Sequence, residues 1–393
     1  MKLSIDAIVM GGGPAGATTA ALLAAEGLSV LVIEKESFPR FHIGESLLPR
    51  SLPVLERLGV DLGGAAFLYK GGAEFLDEVT GSHAVYPFEQ ALPGIPGHAF
   101  QVDRAAFDAG LLERASALGA SVHQGERVTK VDIEDARVSV VTDKGSYVAR
   151  YSVDATGQDA FFARRDRTTL PIESFGRAAV FTHFADLGGD ALDLIGSEGN
   201  IKVLMGQAGW GWLISLSLAR LSVGAVTRDG KVTPNLIEEA IERSPLTQKL
   251  TRGARRLETR VIRNFSYKTE RRSGARYTSV GDAACFLDPV FSSGVALAVL
   301  GAEAVAGQLI QALAKGNEAD PELMTPVWLH MERAYEAMRS LIYAFYHTDF
   351  LRHLFFSKRP DPELSARIRS SARASSASSR SMCGAPTTSS TKR

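Results

Sequence analysis

Residues 4–34 read SIDAIVMGGGPAGATTAALLAAEGLSVLVIE, and this stretch decides the fold. Ile5, Ala7, Ile8 and Val9 make a short apolar run of the kind that forms a buried strand. Gly11, Gly13 and Gly16 then fit the spacing G-x-G-x-x-G. An alanine-rich helix is expected from about Ala15 to Glu26, and Gly27 stands where a helix-ending glycine belongs. Residues 28–33 predict a second buried strand, closed by Glu34. Strand, turn, helix and strand make one βαβ unit. In such a unit the first glycine turns tightly, the second lets the backbone approach a pyrophosphate, and the third brings helix onto strand. The helix N-terminus adds unpaired N–H groups and a positive dipole end. Glu34 lies 18 residues beyond Gly16, where an acid accepts ribose hydroxyls and opposes a 2′-phosphate. The unit therefore predicts a dinucleotide without choosing between NAD and FAD.

Outward from this unit, a helix is expected near 51–58 and a loop-rich region from about 63 to 97. An amphipathic helix is expected over 104–118, with Phe107, Leu111, Leu112 and Ala115 on one face. Strands follow near 120–123, 127–133, 137–142 and 146–153. Alternating stretches at 178–184, 200–205, 211–217 and 221–226 predict a separate antiparallel sheet. A buried strand returns at 277–281, a helix starts near Gly294, and 325–357 reads as helical and aromatic. The fold class is α/β: a Rossmann-like, glutathione-reductase-type βαβ domain with an inserted antiparallel-sheet domain and a helical C-terminal region. The expected division is 1–75, 99–176 and 264–315 for the first domain, 76–98 and 177–263 for the second, and 316–360 for the C-terminal helices. Residues 365–393 are rich in Ser, Ala and Thr and read as a disordered tail.

Composition narrows the function classes. Lys+Arg and Asp+Glu both number 44 among 393 residues, so there is no basic excess to mark a nucleic-acid surface. Two cysteines, Cys285 and Cys383, make no disulfide framework and fit a reducing cytoplasm. The N-terminus runs into an apolar strand without a secretory leader, and no unbroken run of 18 apolar residues exists, so no membrane span is expected.

Three further segments separate the cofactors: Arg40-Phe41-His42-Ile43-Gly44-Glu45-Ser46-Leu47-Leu48-Pro49, Asp154-Ala155-Thr156-Gly157, and Gly281-Asp282 through Asp288-Pro289-Val290-Phe291-Ser292-Ser293-Gly294. With these the sequence resembles the flavin monooxygenase superfamily over about residues 4–356, and within it the flavin-dependent halogenases. The resemblance implies FAD as cofactor. It assigns Asp282 to the ribityl and phosphate part and places Arg104 near the flavin. It also assigns Ala15, Lys35, Arg40, Ile43, Gly44, Glu45, Ser46, Asp154, Gly157, Pro289, Gly294 and Val295 to cofactor binding, beside Gly11, Gly13, Gly16 and Glu34. A helix starting at Gly294 aims N–H groups at the flavin ring.

Halogenases of this family use reduced FAD (FADH₂) and oxygen to form a flavin C4a-hydroperoxide, which oxidises halide to hypohalous acid. The resemblance thus implies chloride or bromide as co-substrate, a separate NAD(P)H:flavin reductase, and a small electron-rich aromatic substrate, free or tethered to a carrier protein. Ser293 and Gly294 match the positions whose amides face halide. Backbone N–H groups suit that task because they bind anions without being oxidised. Lys70, in Phe67-Leu68-Tyr69-Lys70-Gly71-Gly72, matches the catalytic lysine, and an apolar pocket is expected to lower its pKa.

The family signature Trp-x-Trp-x-Ile-Pro stands here as Trp210-Gly211-Trp212-Leu213-Ile214-Ser215, with Trp210 and Trp212 expected as pocket walls. Phe291 occupies the place of the glutamate of tryptophan halogenases, a form similar to the halogenases of phenols, pyrroles and carrier-tethered substrates; it is expected in the substrate pocket. Serine at 215 leaves an aromatic hydroxylase open, and the low-complexity C-terminus leaves open a flavin-binding homologue without turnover.

Overall fold

The strand Ile5–Met10 lies inside a parallel sheet, between Ser146–Asp154 and Val30–Glu34. The computed structural model describes residues 5–347, apart from 64–66, 92, 173–174, 176–177, 197, 207–208, 228–229 and 234, together with Phe356. Sheet order is Ser273–Gly274, Tyr277–Ser279, Ser146–Asp154, Ile5–Met10, Val30–Glu34 and Ser121–Gln124, with the antiparallel pair Val128–Ile133 and Val138–Thr142 attached to the long strand. Ala7 to Met10 are fully buried because both faces of the sheet are covered.

The helix Pro14–Ala25 is apolar on nearly every side and packs against Arg104–Ala117 and Ser293–Lys315. Its neighbour Arg104–Ala117 is capped by Asp103, whose carboxylate accepts from Ala105 and Ala106 N–H. Ser293–Lys315 is, among the described residues, the one helix long and apolar enough to cross a membrane. The expectation of no span rested on an unbroken apolar run, which Glu303 interrupts. Here the helix is a core element, more than half buried against the sheet domain.

The second sheet runs Arg255–Arg256, Ala178–Ala185, Arg220–Thr227, Gly209–Ser217, Ile201–Met205, Gly72–Asp77, Ser82–Pro87, with Arg260–Arg263 added to Ala178–Ala185. It is antiparallel except that Ile201–Met205 pairs in parallel with Gly72–Asp77. The chain therefore enters this sheet at Gly72, within the stretch expected in the first domain.

The loop-rich reading of 63–97 is corrected. Phe67–Lys70, Gly72–Asp77 and Ser82–Pro87 are strands. Their alternation is hidden by charges that are buried together. Glu74 is 2.9 Å from Lys202 Nζ, 3.2 Å from His83 and 3.1 Å from Asn200. These partners hold the Glu74 carboxyl down at about 2 against the burial that pushes it up. The helix over 325–357 is described as Thr325–His347. Phe350, Phe355, Cys383 and the tail 365–393 lie outside the described residues.

Candidate active site

The glycine turn is built by contact distances. A Cβ on Gly11 would stand 2.3 Å from the Ala155 carbonyl oxygen, and Gly11 holds φ +105°. A Cβ on Gly16 would stand 1.9 Å from the Gly11 carbonyl oxygen, so helix and strand meet only because Gly16 has no side chain. Gly13 is different: a Cβ there would meet the Arg40 guanidinium at 3.5 Å, an ordinary van der Waals contact. Gly16→Ala is expected to lower dinucleotide affinity about 100-fold, roughly 2.7 kcal/mol, in a fluorescence titration. An affinity unchanged from wild type would mean that the turn tolerates a side chain where the distances forbid one.

This turn opens one end of a cavity of about 1570 Å³. Glu34 lies on its wall, buried, with one oxygen accepting from Gly12 N–H at 2.7 Å and the other from Glu36 N–H at 2.8 Å. Gly11, Gly13, Ala15, Lys35, Arg40 and Gly157 line the same end. Ile43, Gly44, Glu45, Ser46, Arg104, Asp282, Pro289, Gly294 and Val295 line it as well. Trp210 and Trp212 stand on its apolar wall with Phe181 and Ile214. Gly16 lies behind the turn, outside the cavity surface.

Arg104 is no surface residue. It is buried, with Nε and Nη2 donating to the two carboxylate oxygens of Asp108 at 2.8 and 2.9 Å, and Nη1 donating to the Ile43 and Gly44 carbonyls at 2.6 and 3.1 Å. Arg40 donates to the same Asp108 at 3.0 Å. Burial pushes the Asp108 carboxyl up, but Arg104 and then Arg40 outweigh it and hold it below the usual range. His42, beside them, is pushed down to about 4 by burial and then by Arg104, so it is neutral near pH 7. Asp282 is raised to about 6 by burial, with Arg104 opposing.

Besides Gly16, four expected site residues lie off the main cavity wall. Asp154 is fully buried; its carboxylate accepts from Thr156 N–H, Thr156 Oγ1 and Phe162 N–H, and so shapes the turn that presents Thr156 and Gly157. Phe291 packs edge-on to Phe345 at 5.8 Å. Ser293 lines a second cavity of about 10 Å³, room for about one water-sized occupant, shared with Asp282, Cys285, Gly294 and Tyr335. Lys70 sits one side chain away from the main cavity. Its Nζ donates to Ser46 Oγ at 2.7 Å and the Leu47 carbonyl at 2.8 Å, and lies 5.1 Å from the Phe88 ring centre. No carboxylate among the described residues pairs with it, and burial alone lowers its pKa to about 7.

Trp210 Nε1 donates to the Tyr346 hydroxyl at 2.7 Å, which donates to Asp288 at 3.0 Å, tying the C-terminal helix to the Gly209–Ser217 strand. Trp212 Nε1 donates to Ser222 Oγ at 3.1 Å. Ser215, in the place of the family's proline, pairs with Leu221 inside the sheet. Sequence reasoning assigned no role to Asp108 or His183. Only Asp108 carried a local signal, its i+4 spacing from Arg104 on a helix.

The cavity fits FAD on its own terms. It has a glycine cradle that a Cβ on Gly11 would fill, a buried acid and a long-helix N-terminus on its wall, and a buried Glu45 oxygen without a hydrogen-bond partner.

Comparison with known proteins agrees. The tryptophan halogenase family model matches residues 6–97 and 93–381. A 1H-pyrrole-2-carbonyl-[peptidyl-carrier protein] chlorinase of Pseudomonas fluorescens is 31% identical over 350 residues, 80% of this chain and 77% of that protein. The corresponding brominase of Pseudoalteromonas luteoviolacea is 31% identical over 332 residues, 80% of this chain and 79% of that protein. Among solved structures, a myxobacterial chondrochloren halogenase, described as a variant of FAD-dependent halogenases, superposes with a TM-score of 0.77 at 29% identity, covering 95% of this chain and 90% of its own. By this match and these identities the chain belongs to the tryptophan halogenase family and is a flavin-dependent halogenase.

Proposed function

We propose that the protein halogenates a phenol- or pyrrole-type arene, with Lys70 delivering the halogen and the amides of Ser293 and Gly294 holding the halide. The observation that carries the reading is a buried lysine with its pKa near 7, 2.7 Å from a serine hydroxyl on the cavity wall. Reduced FAD with oxygen supplies, when bound, the oxidising equivalent that turns halide into hypohalous acid. Lys70 gains or releases a proton at Nζ near neutral pH, so it serves both as a donor to hypohalous acid and as an amine that takes up halogen. Phe291 puts no charge against it. Arg104 fixes the Ile43 and Gly44 carbonyls and so shapes the cavity wall. Trp210 and Trp212 wall off water on the apolar side. The halogenase relatives favour halogenation over the hydroxylation that Ser215 left open.

Two of these relatives act on a pyrrole held by a peptidyl carrier protein, which supports a carrier-bound substrate here. A separate NAD(P)H:flavin reductase supplies the reduced cofactor, and the cytoplasm suits a chain whose described cysteine, Cys285, is buried and free. The test supplies FAD, a flavin reductase, NADH, bromide or chloride, and phenols and pyrroles both free and carrier-bound. Halide-dependent halogenated product is expected, with NADH consumed only when reductase is present. Hydroxylated product formed equally without halide would replace this reading by the hydroxylase one.

A further inference from the structure

Behind the turn that opens the helix Ser293–Lys315, three buried side chains from distant parts of the chain form one hydrogen-bonded line. Trp210 Nε1 donates to the Tyr346 hydroxyl at 2.7 Å, and that hydroxyl donates to Asp288 Oδ2 at 3.0 Å. An indole N–H only donates, so it takes the tyrosine oxygen as acceptor and turns the tyrosine hydrogen toward the carboxylate. Asp288 Oδ1 accepts from Val290 N–H at 3.0 Å and caps the turn Pro289–Phe291. Ser292 follows in the left-handed region at φ 55°, and the helix begins at Ser293. Phe345 meets Phe291 of this turn edge-on at 5.8 Å, and Phe175 stacks on Tyr346 at 6.4 Å. Asp288 is 2% exposed and lines the small cavity together with Ser293 and Gly294. Asp282, Phe286 and Gly294 line the main cavity too, so the two adjoin. A bare carboxylate in that place repels the anion that the Ser293 and Gly294 amides are to hold. Donors on its oxygens draw off that charge, and a chain of hydrogen bonds polarises each member in turn.

We infer that Tyr346 is a positioning residue for the halide: acting through Asp288, its hydroxyl offsets the carboxylate charge beside the anion and steadies the turn that presents the Ser293 and Gly294 amides. The inference rests on the halide site proposed above. Asp288 has a structural use, the cap of the turn, and Tyr346 counters the charge that comes with it. The C-terminal helix Thr325–His347 thereby takes part in halide binding without reaching the halide, since Tyr346 lines neither cavity.

The experiment follows halogenation of whichever phenol or pyrrole the wild type accepts, at varied bromide, in the FAD-loaded enzyme with reductase and NADH. Wild type is compared with Tyr346→Phe, Asp288→Asn and the double variant, and FAD affinity is measured by fluorescence. Tyr346→Phe is expected to raise the bromide KM about 10-fold, the effect of one hydrogen bond to a charged group. Its kcat at saturating bromide and its FAD affinity are expected to stay near wild type. Asp288→Asn keeps an oxygen for Val290 N–H without the charge, and its bromide KM is expected at or below wild type. In the double variant no charge is left to offset, so the KM is expected to return to that of Asp288→Asn. A KM unchanged in Tyr346→Phe, or raised and not rescued by Asp288→Asn, overturns the inference while leaving halogenation standing. A fall in kcat alone makes the hydroxyl a packing contact and overturns it too. Should Tyr346→Phe fail to fold, Asp288→Asn decides: a bromide KM at or below wild type supports the inference and a higher one overturns it. If wild type forms no bromide-dependent product from any free or carrier-bound arene, the halogenase reading falls first and this one with it.

Discussion

Lys70→Ala is expected to abolish halogenation, lowering kcat/KM by roughly 10²–10⁴, the range over which a positioned proton-transfer group acts. FAD affinity and NADH consumption with the reductase are expected to stay at wild-type levels, because Lys70 lies behind Ser46 and does not line the cavity. Free hypohalous acid, caught by a chemical trap, is then expected in place of halogenated arene. A variant that still halogenates at the wild-type rate would remove Lys70 from the chemistry.

The same lysine has a stability signature of defined sign. Burial lowers its folded pKa to about 7 from the 10.5 of an exposed lysine. Between these values the unfolded chain binds the extra proton and the folded one does not, so stability rises with pH there. The contribution of this group is about 1.4 kcal/mol per pH unit at most. The penalty is complete below about pH 7 and is relieved by about 10.5. Lys70→Met, which keeps volume without charge, is therefore expected to stabilise the fold most at pH 7 and little at pH 10. Chemical denaturation at the two pH values measures it; a gain that grows with pH would contradict the buried-lysine account.

Asp108→Ala is expected to destabilise the protein by about 3–5 kcal/mol, the cost of stranding a buried charge. Asp108 has a fully buried carboxylate between two guanidinium groups, Arg104 and Arg40. Without it, Arg104 keeps only the Ile43 and Gly44 carbonyls, and Arg40 keeps Glu36 at 3.4 Å. FAD affinity is expected to fall as well, since Arg104, Ile43 and Gly44 all line the cavity. Denaturant midpoints and a fluorescence titration measure both effects. A loss below about 1 kcal/mol, the range of surface ion pairs, would mean that water reaches and screens the cluster.

The glycine turn shows what the chain encodes locally. The Gly11, Gly13 and Gly16 spacing, Glu34 at the strand end and the helix beginning at Ser293 were legible because each depends on hydrogen-bond geometry within a few residues or one βαβ unit. The antiparallel strands of the second sheet were legible for the same reason, through their alternation. The strands between 67 and 87 were not. Glu74 and His83 interrupt the apolar pattern, and what makes them burial-competent is Lys202 on a strand paired in parallel register, Lys202 against Glu74.

The sequence by itself determined the dinucleotide fold, the family and the candidate lysine, because those rest on spacings along the chain. Only the tertiary structure decided how these parts meet. It placed Lys70 behind Ser46, turned Asp154 inward to hold its own loop, and tied Trp210 to Tyr346 from 136 residues away. It also set Glu45 against His183, 138 residues apart. Such meetings depend on sheet register and on which polar groups share a buried space, and neither is written in local periodicity.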